Sequence, residues 1–529
     1  MSGRTIGFFI FLLGLLAALG ESLQIDFPTA RWFFEASREV PVLNWGENSS
    51  KAFLWFGWLS SLILMFIGGS LIVRSFSGGP PNPLTLRRIK RFKEIKRGYL
   101  SLLILISLAA LAALDQVIVG NEALAVQYKG QWTFPAFKPG TLKSSDFGIE
   151  GERADAPVDY RTLKKSWKSE ESGDGGTVIM PLIPYSATGD TLYPRSVTLT
   201  ERNGIYYESG KKNPFFGLAA TYHDKNNAKF HIRYTLRDGL LSGPADGWDP
   251  KGERIYSAEY SKGEKIGETY SGQGDVNDFL AASIGEMRAV KYHPAPPIWE
   301  EGNFLGTTSQ GYDVLAYLYG GLQVNFKAAL IFLPIVYTIG ILVGMLMGYL
   351  GGIFDLTVDR LIEVFANMPF LFVVIIFSSM VPEQFKGLPV ILTILIIFGW
   401  MGICSLMRTA AYRDKERDYI AAARVLGAGT PRIIFRHLLP NTVAIIVTLV
   451  PFTMSSLIFS LTALDYLGFG LPPEYATWGR LLNDGLSNLS APWLVSSTFF
   501  VLVGLLILIT FIGEAVREAF DPKKHSYYR

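Results

Sequence analysis

The chain has 529 residues, of which 49% are hydrophobic and 13% aromatic, and it carries a formal net charge of +3. A mean hydropathy of +0.26 is high for a soluble protein of this length, and the charge is too small for a dedicated nucleic-acid binder. Its one cysteine, Cys404, excludes an intrachain disulfide.

Apolar segments that can cross a bilayer occur along most of the chain, since a span needs about 20 mostly apolar residues. There are eight candidates: Thr5–Gly20, Ala52–Val73, Tyr99–Gly120, Phe326–Leu350, Leu361–Pro382, Leu388–Thr409, Thr442–Leu464 and Leu494–Val516. The first is short and ends in small residues, so it is either a cleaved signal peptide or a retained span. We expect a retained span.

The loop between the second and third segments is strongly basic. Against the single acid Glu94 it carries eight Lys or Arg side chains: Arg74, Arg87, Arg88, Lys90, Arg91, Lys93, Lys96 and Arg97. Short basic loops remain cytoplasmic. The alternation of spans then predicts that residues 121–323 lie outside and that residues 408–441 and 517–529 lie inside. A second basic cluster agrees, because residues 408–436 hold seven Lys or Arg against three acids.

The segment predicted to lie outside has a different composition. It is rich in Gly, Lys, Asp, Tyr and Ser, and strand-like runs such as Phe230–Leu236 and Arg254–Tyr260 predict a β-rich or mixed α/β insertion. We expect His223 and His231 on its solvated surface rather than in a site. Its aromatic residues serve either recognition or the domain's own core: Tyr206, Tyr207, Phe215, Phe216, Tyr222 and Tyr234.

The predicted organisation therefore has four parts. Residues 1–98 hold extra membrane spans and a basic cytoplasmic loop, residues 99–120 a first core span, and residues 121–322 an extracytoplasmic domain. Residues 323–529 form a membrane core of five spans with a cytoplasmic loop at 409–441. Gly306 and Gly311 are predicted turn residues ahead of this core.

The cytoplasmic loop contains a polar two-helix hairpin over residues 418–441. Residues 419–426 predict a short helix with Ala421, Ala422 and Ala423 at its centre, ended by Gly427 in a positive-φ conformation. Thr430 is a predicted N-cap, and Pro431 the first-turn proline, of a second short helix that ends near Pro440. A helix made of small side chains has a smooth surface, which can fit into a groove on another protein.

This hairpin resembles the cytoplasmic coupling loop of ABC-importer permeases, whose pattern is EAA, three residues, Gly, nine residues, then I-x-L-P. Ala421 replaces the Glu and His437 the Ile, the latter as in the RHxLPN variant of oligopeptide and dipeptide importers. Arg432 and Arg436, one turn apart, face either acids on the ATPase or solvent. The candidate ATPase-coupling residues are Tyr419, Ala421, Ala422, Ala423, Gly427, Arg432, Arg436, His437, Leu439 and Pro440.

Other stretches extend the resemblance over roughly residues 305–523. LGTTSQGYDVLA at 305–316 resembles the LGTDxxGRDVLSR stretch of oligopeptide-type permeases, with Thr308 in place of Asp and Tyr312 in place of Arg. LDYLGFGLPP at 464–473 and FIGEAVREAFDPK at 511–523 resemble the last outer loop and the C-terminal tail. With VQYKGQWTFPAFK at 126–138, the chain resembles the Yej-type permeases of microcin C and oligopeptide importers. The resemblance implies that the spans before Arg87 and much of Ser186–Pro294 are additions.

The resemblance implies an all-α polytopic membrane protein with a type I ABC-importer permease core in the bacterial inner membrane. It implies as partners two ABC ATPase subunits, a second and different permease chain, and an extracytoplasmic solute-binding protein. The implied cargo is peptides, with no cofactor and no nucleic acid, and the substrate-binding residues are unknown. ATP-driven closure of the ATPases would push on the hairpins.

The sequence also bears on three other classes of function. The chain has no GxxxxGK[ST], HExxH or GxSxG motif, so it is not expected to hydrolyse ATP itself or to hold a catalytic metal. A proton-driven carrier is disfavoured because the middles of the last five spans carry no ionisable residue. A membrane-anchored sensor, or a permease for nickel or an oligosaccharide, remains an alternative.

Overall fold

The computed structural model describes residues 3–34, 54–77, 83–138, 142–148, 157–169, 176–189, 195–208, 213–223, 230–282, 284–291, 293–297, 299, 302–382 and 386–520. Residues 52 and 53 of the second predicted span, and the predicted tail beyond Phe520, lie outside these ranges. The chain divides into two compact units. The first comprises Met1–Gly189, Pro296–Thr308 and Tyr312–Arg529, and the second comprises Asp190–Ala295 with Ser309–Gly311.

The first unit begins with helices α1 (Gly3–Leu23), α2 (Trp55–Ser77), α3 (Pro83–Glu94) and α4 (Lys96–Ala113). The apolar pair α1 and α2 packs closely through glycine. A Cβ built on Gly14 would lie only 2.7 Å from the carbonyl oxygen of Ser61. Small residues allow this approach of two backbones within a membrane, so these two N-terminal helices form a closely packed pair.

A small antiparallel sheet follows in the first unit, made of β1 (Ala125–Tyr128), β2 (Gln131–Thr133) and β3 (Thr177–Ile179) in the order β2-β1-β3. Helix α5 (Tyr160–Ser169) covers it. The rings of Tyr128 and Trp167 stack with centroids 5.5 Å apart, and Phe147 packs edge-on against both. Aromatic packing of this kind gives a short sheet its stability.

The second unit is an antiparallel sheet. Its elements are β4 (Arg195–Arg202), β5 (Ile205–Glu208), β6 (Gly217–Tyr222), β7 (Phe230–Arg237), β8 (Leu240–Leu241), β9 (Gly243–Trp248), β10 (Arg254–Ser261), β11 (Glu264–Tyr270), α6 (Val276–Ala281) and β12 (Ile284–Lys291). The order is β11-β10-β9-β7-β6-β12-β4-β5, with β8 paired to β7. The strand-like runs at 230–236 and 254–260 are thus confirmed as β7 and β10.

The aromatic residues of this unit divide between its core and its surface. Phe215 and Tyr222 are buried, Tyr206 and Tyr234 pack against buried clusters, and Phe216 is 73% exposed. The prediction of a solvated surface for the two histidines is wrong for His231. That side chain is fully buried against Phe279, with ring centroids 4.5 Å apart, because α6, which carries Phe279, covers it.

The remaining helices belong to the first unit: α7 (Val314–Leu350), α8 (Gly352–Ala366), α9 (Phe370–Met380), α10 (Leu388–Lys415), α11 (Asp418–Val425), α12 (Thr430–Ile433), α13 (Leu439–Tyr466), α14 (Trp478–Ser487) and α15 (Pro492–Phe520). Among the described residues, seven helices are long and apolar enough to cross a membrane, or eight if the bent pair α8–α9 is one span. Each of the eight predicted segments overlaps one of them.

Helix α7 is longer than the span predicted for it. It begins at Val314, twelve residues before Phe326, because the Asp313 carboxylate caps it by accepting a 2.8 Å hydrogen bond from the backbone N–H of Ala316. At 37 residues it is about 55 Å long, which exceeds the ~30 Å hydrocarbon core. The predicted turn residues before it, Gly306 and Gly311, both adopt positive φ.

The span predicted over Leu361–Pro382 is not one straight helix. Helices α8 and α9 meet there at a break and are bent by 83°. Pro369 provides the reason: it lacks a backbone N–H, and it drives the preceding Met368 away from helical geometry, so the helix stops and restarts.

Helices α7 and α10 form the central packed pair of the first unit. Gly340, Gly344 and Gly348 follow one another at four-residue intervals on α7 and face α10. A Cβ on Gly344 would lie 2.3 Å from the carbonyl oxygen of Cys404. The two backbones are therefore in direct contact, as expected where glycine recurs every four residues in membrane helices.

Candidate functional site

The first arm of the hairpin ends in a well-formed glycine cap. Helix α11 begins at Asp418, and Gly427 follows it with φ +79°, as predicted. The Gly427 N–H donates to the Arg424 carbonyl at 2.9 Å, and the Ala428 N–H donates to the Ala423 carbonyl at 3.0 Å. These two bonds are the Schellman motif, which satisfies the last carbonyls of a helix and requires a left-handed residue.

The second arm differs from the prediction in two respects. Gly429, not Thr430, is the N-cap of α12. The arm does not end near Pro440 either, because a π-helical turn over Ile434–Leu438 joins α12 directly to α13. Pro440 falls in the first turn of α13, where the missing N–H costs little, so the helix continues into the membrane span.

Apolar side chains fix both arms to the membrane helices. Ile420 on the first arm and Ile433, Ile434 and Leu438 on the second are buried. They belong to one cluster with Met407 and other residues of α7, α10 and α13. Each buried aliphatic side chain of this size contributes about 1.5–3 kcal/mol relative to an exposed one. The hairpin is therefore an integral part of the helical core and not a loose loop.

Polar contacts brace the two arms against each other and against α7. The Asn441 amide donates to the Tyr419 hydroxyl at 3.0 Å and to the His437 carbonyl at 2.9 Å. Arg424 donates to the Tyr349 hydroxyl at 3.3 Å, and its guanidinium lies 5.2 Å from the centre of that ring. Predicted residues Tyr419 and His437 thus lie together at the crossing point of the two arms.

An ion-pair cluster lies at the base of the hairpin. Arg408 on α10 donates to both carboxylate oxygens of Asp355 on α8, at 2.6 and 2.8 Å, and to Asp359 at 2.8 Å. Asp414 accepts from Arg413 at 2.9 Å and from Arg417 at 3.2 Å. Sequence reasoning counted these arginines only as topology signals, and nothing in the spacing of Arg408 reveals its partners, which are 49 and 53 residues away.

The tip of the hairpin presents apolar side chains to the exterior. Val425 and Leu426 are 88% and 86% exposed, and Phe435 is 55% exposed. With the exposed Ala421, Ala422 and Pro431 they form a surface that we call the hairpin tip. Exposed apolar patches of this kind mark interaction sites. Sequence reasoning missed its three largest members, since they fall at positions that the motif leaves unspecified.

The predicted coupling residues are distributed between the tip and its support. Tyr419, His437 and Leu439 are half-buried and Ala423 is buried. These four residues therefore support the hairpin from inside the fold and do not form its outer surface. The other members are exposed: Ala421, Ala422, Gly427, Arg432, Arg436 and Pro440. A Cβ on Gly427 would meet nothing within 4 Å inside the chain. Its surface is therefore free for close approach by another molecule.

Known proteins match both the membrane core and most of the full chain. Residues 340–526, which include the whole hairpin, match the model of the binding-protein-dependent transport system inner membrane component. The chain is 32% identical over 443 residues to the inner membrane ABC transporter permease protein YejE of Escherichia coli (strain K12), covering 84% of this chain and 98% of that protein. It is 29% identical over 443 residues to the peptidoglycan transport system permease protein YejE of Agrobacterium fabrum, covering 84% and 94%. A shorter match, 32% over 251 residues, covers 47% of this chain and 77% of the dipeptide transport system permease protein DppC of Bacillus subtilis.

Proposed function

Because this chain belongs to the family of binding-protein-dependent transport system inner membrane components, we propose that it is the permease subunit of an ABC importer for peptides. It is a multi-pass protein of the cytoplasmic membrane. The dipeptide and oligopeptide transport systems named for its relatives support peptides as the cargo. Permeases of this family work with ATPase and binding-protein partners, and we propose a second, different permease chain as well.

We propose that the hairpin tip docks on the ATPase. The tip is apolar and exposed, whereas the residues behind it are buried in the helical core. Burial of Val425, Leu426 and Phe435 in a groove would remove from water the surface that the isolated chain leaves uncovered. This contrast between the exposed tip and the buried support is the observation that carries the proposal.

The second arm provides a route from the ATPase into the membrane. Residues Thr430–Tyr466 form a continuous helical run of 37 residues that contains a π-helical turn over Ile434–Leu438 and a proline, Pro451. A displacement of the tip would move the cytoplasmic end of this run, and the π-helical turn and Pro451 are the positions at which the run can bend. Its inner end touches α7 and α10 through Ile433 and Leu438, so the same displacement would reach the central helix pair. Alternating access would follow from that coupled motion.

In the proposed orientation the basic clusters near Lys90 and Lys415 face the cytoplasm, and the sheet of the second unit lies outside. The binding protein would then deliver peptide on the side of that sheet. Single-cysteine labelling in a Cys404→Ser background tests this. Labelling at position 415 by an impermeant reagent added to intact cells would contradict the proposed orientation.

Cross-linking tests the docking itself. In the Cys404→Ser background of the assembled transporter, a cysteine at position 426 should cross-link to the ATPase subunit. A cysteine at Ile266, which is 69% exposed on β11, is the control matched for exposure and should not cross-link. Absence of the cross-link at position 426 in a complex that still imports peptide would refute docking by the tip.

A further inference from the structure

A polar cleft of about 340 Å³ lies at the end of α4 opposite its basic start. Two parts of the chain form it: the loop after α1, with Asp26 and Arg31, and the connection from α4 to β1, with Asp115, Gln116 and Glu122. Lys138 lines it as well. The volume is within the range of small-molecule sites, about 300–1,000 Å³. The loop after α1 belongs to the N-terminal region before Arg87.

The cleft is built on a braced framework. The Arg31 guanidinium lies 2.5 Å from the Asp115 carboxylate, whose other oxygen accepts from the Gln323 amide at 2.9 Å. Gln116 Nε2 donates to the Asp26 carbonyl at 2.6 Å, and the Asp26 N–H donates to the Phe137 carbonyl at 2.9 Å. Because these contacts already hold the walls of the cleft in place, ligand binding does not incur the entropy cost of ordering them.

Among the described residues, the framework leaves one buried acceptor without a donor, Gln116 Oε1, and two carboxylates without an ion-pair partner, the half-buried Asp26 and the exposed Glu122. Asp115 is only 5% exposed and neutralises Arg31, whereas the described residues supply no ion pair for the carboxylates of Asp26 and Glu122. Burial raises the pKa of Glu122, nearby Arg31 lowers it, and the charge of Asp26 raises it further. Gln116 is 92% buried, and its Oε1 has no hydrogen-bond partner. An amide oxygen buried without a donor is costly.

The chemistry of the missing partner follows from these acceptors. It must carry positive charge and several N–H donors, which describes a primary ammonium group with its three donors. A metal ion fits less well, because nowhere in the described part of the chain do three His, Cys, Asp or Glu side chains come together as a metal site. Lys138 lines the same cleft and can receive a carboxylate, so a zwitterion matches both signs of charge.

We propose that this cleft binds the primary ammonium group of a zwitterionic ligand through Asp26, Glu122 and Gln116, with the free amino end of a peptide as the source. The identification of the source rests on the proposed peptide import, in which this end of α4 faces outside. The cleft would hold the amino terminus of a peptide beside Gln323 of α7 before it enters the membrane pathway. The added N-terminal spans would thereby complete a substrate site.

Binding to the purified full-length chain tests the proposal. The chain is placed in nanodiscs of phosphatidylcholine, whose headgroup has no N–H, and titrated with trialanine and with N-acetyl-trialanine. Loss of one charge-assisted contact weakens binding by about tenfold. We expect that loss on acetylation, and again in the isosteric variants Glu122→Gln and Asp26→Asn. Glu264→Gln removes an exposed acid on β11 that does not line the cleft, and it should bind like the unmodified chain.

The outcomes separate the possible sources. If phosphatidylethanolamine nanodiscs weaken trialanine binding to the unmodified chain but not to Glu122→Gln, the cleft recognises ammonium and the lipid headgroup competes for it. Equal binding of the acetylated and free peptides, or unchanged binding in both acid variants, would overturn the proposal. Intact peptide uptake by cells carrying Glu122→Gln and Asp26→Asn, together with no binding difference, would refute the cleft and leave the import function standing.

Discussion

Replacement of Gly427 tests whether the capped turn of the hairpin is required for coupling. Gly427 has φ +79°, a conformation that costs an L-residue roughly 1–2 kcal/mol. A Cβ there meets nothing within 4 Å, so Gly427→Ala adds this backbone cost and no clash within the chain. Gly429 is equally open but has φ −72°, which alanine adopts freely. The pair Gly427→Ala and Gly429→Ala therefore isolates the effect of the left-handed turn.

The expected magnitude is a five- to thirtyfold shift of the local equilibrium toward an opened turn, from the same ~1–2 kcal/mol. Hydrogen exchange at Ala428, whose N–H closes the Schellman motif, should accelerate by that factor in Gly427→Ala and stay unchanged in Gly429→Ala. Peptide uptake and stimulation of the ATPase should fall in the first variant only. The rest of the fold should be retained, because no other contact changes. Equal exchange and equal uptake in the two variants would refute the reasoning.

Charge at the same position probes close approach of the partner. Asparagine and aspartate both tolerate the left-handed region better than alanine, and they have nearly the same shape. Gly427→Asp should reduce uptake and ATPase stimulation well below Gly427→Asn, since only the aspartate carries a charge into an apolar interface. If Gly427→Asp imports peptide as the unmodified chain does, the turn does not lie in the coupling interface.

The remaining predictions concern stability. Gly344→Ala should lower the midpoint of thermal denaturation, since its Cβ overlaps the backbone of α10 and overpacking costs about 1–3 kcal/mol, whereas Gly402→Ala, with nothing within 4 Å, should not. Arg408→Met leaves two acids unpaired and should destabilise by about 3–5 kcal/mol, whereas Arg360→Met removes an exposed pair and should change little in the same assay. Burial lowers the pKa of His231 to about 4, so between pH 6.5 and 4 the unfolded chain binds more protons. Stability of the second unit should therefore fall as pH falls through that window, and His231→Phe should abolish this dependence in hydrogen exchange of β7.

Local rules recovered much of the fold from the sequence. The eight apolar segments overlap the helices long enough to span, and β7 and β10 follow their alternating patterns. Gly427 was identified because positive φ is a property of one residue and its immediate neighbours. A structural feature that depends only on residues close to it in the chain can be predicted from a single sequence.

The errors occur where distant partners decide the structure. His231 was expected in solvent because a lone histidine gives no sign of the helix that covers it. Arg408 and its partner Asp355 are 53 residues apart, and neither residue type predicts the pairing.

The distinction between local and distant causes also applies to the coupling site. It explains why the motif identifies only some of the residues on the hairpin tip. Motif positions such as Ala423 and Leu439 are buried or half-buried, and they set the shape of the hairpin rather than touch a partner. Val425 and Leu426, which the motif leaves free, are the most exposed apolar residues of the tip. In the proposed mechanism, then, the motif would specify a rigid frame, and the residues between its positions would determine which ATPase the frame accepts. Exchange of Val425 and Leu426 for other apolar pairs should therefore change ATPase affinity while Gly427 keeps its φ, which co-purification and hydrogen exchange can measure separately. Unchanged affinity across such exchanges would place partner choice elsewhere on the hairpin.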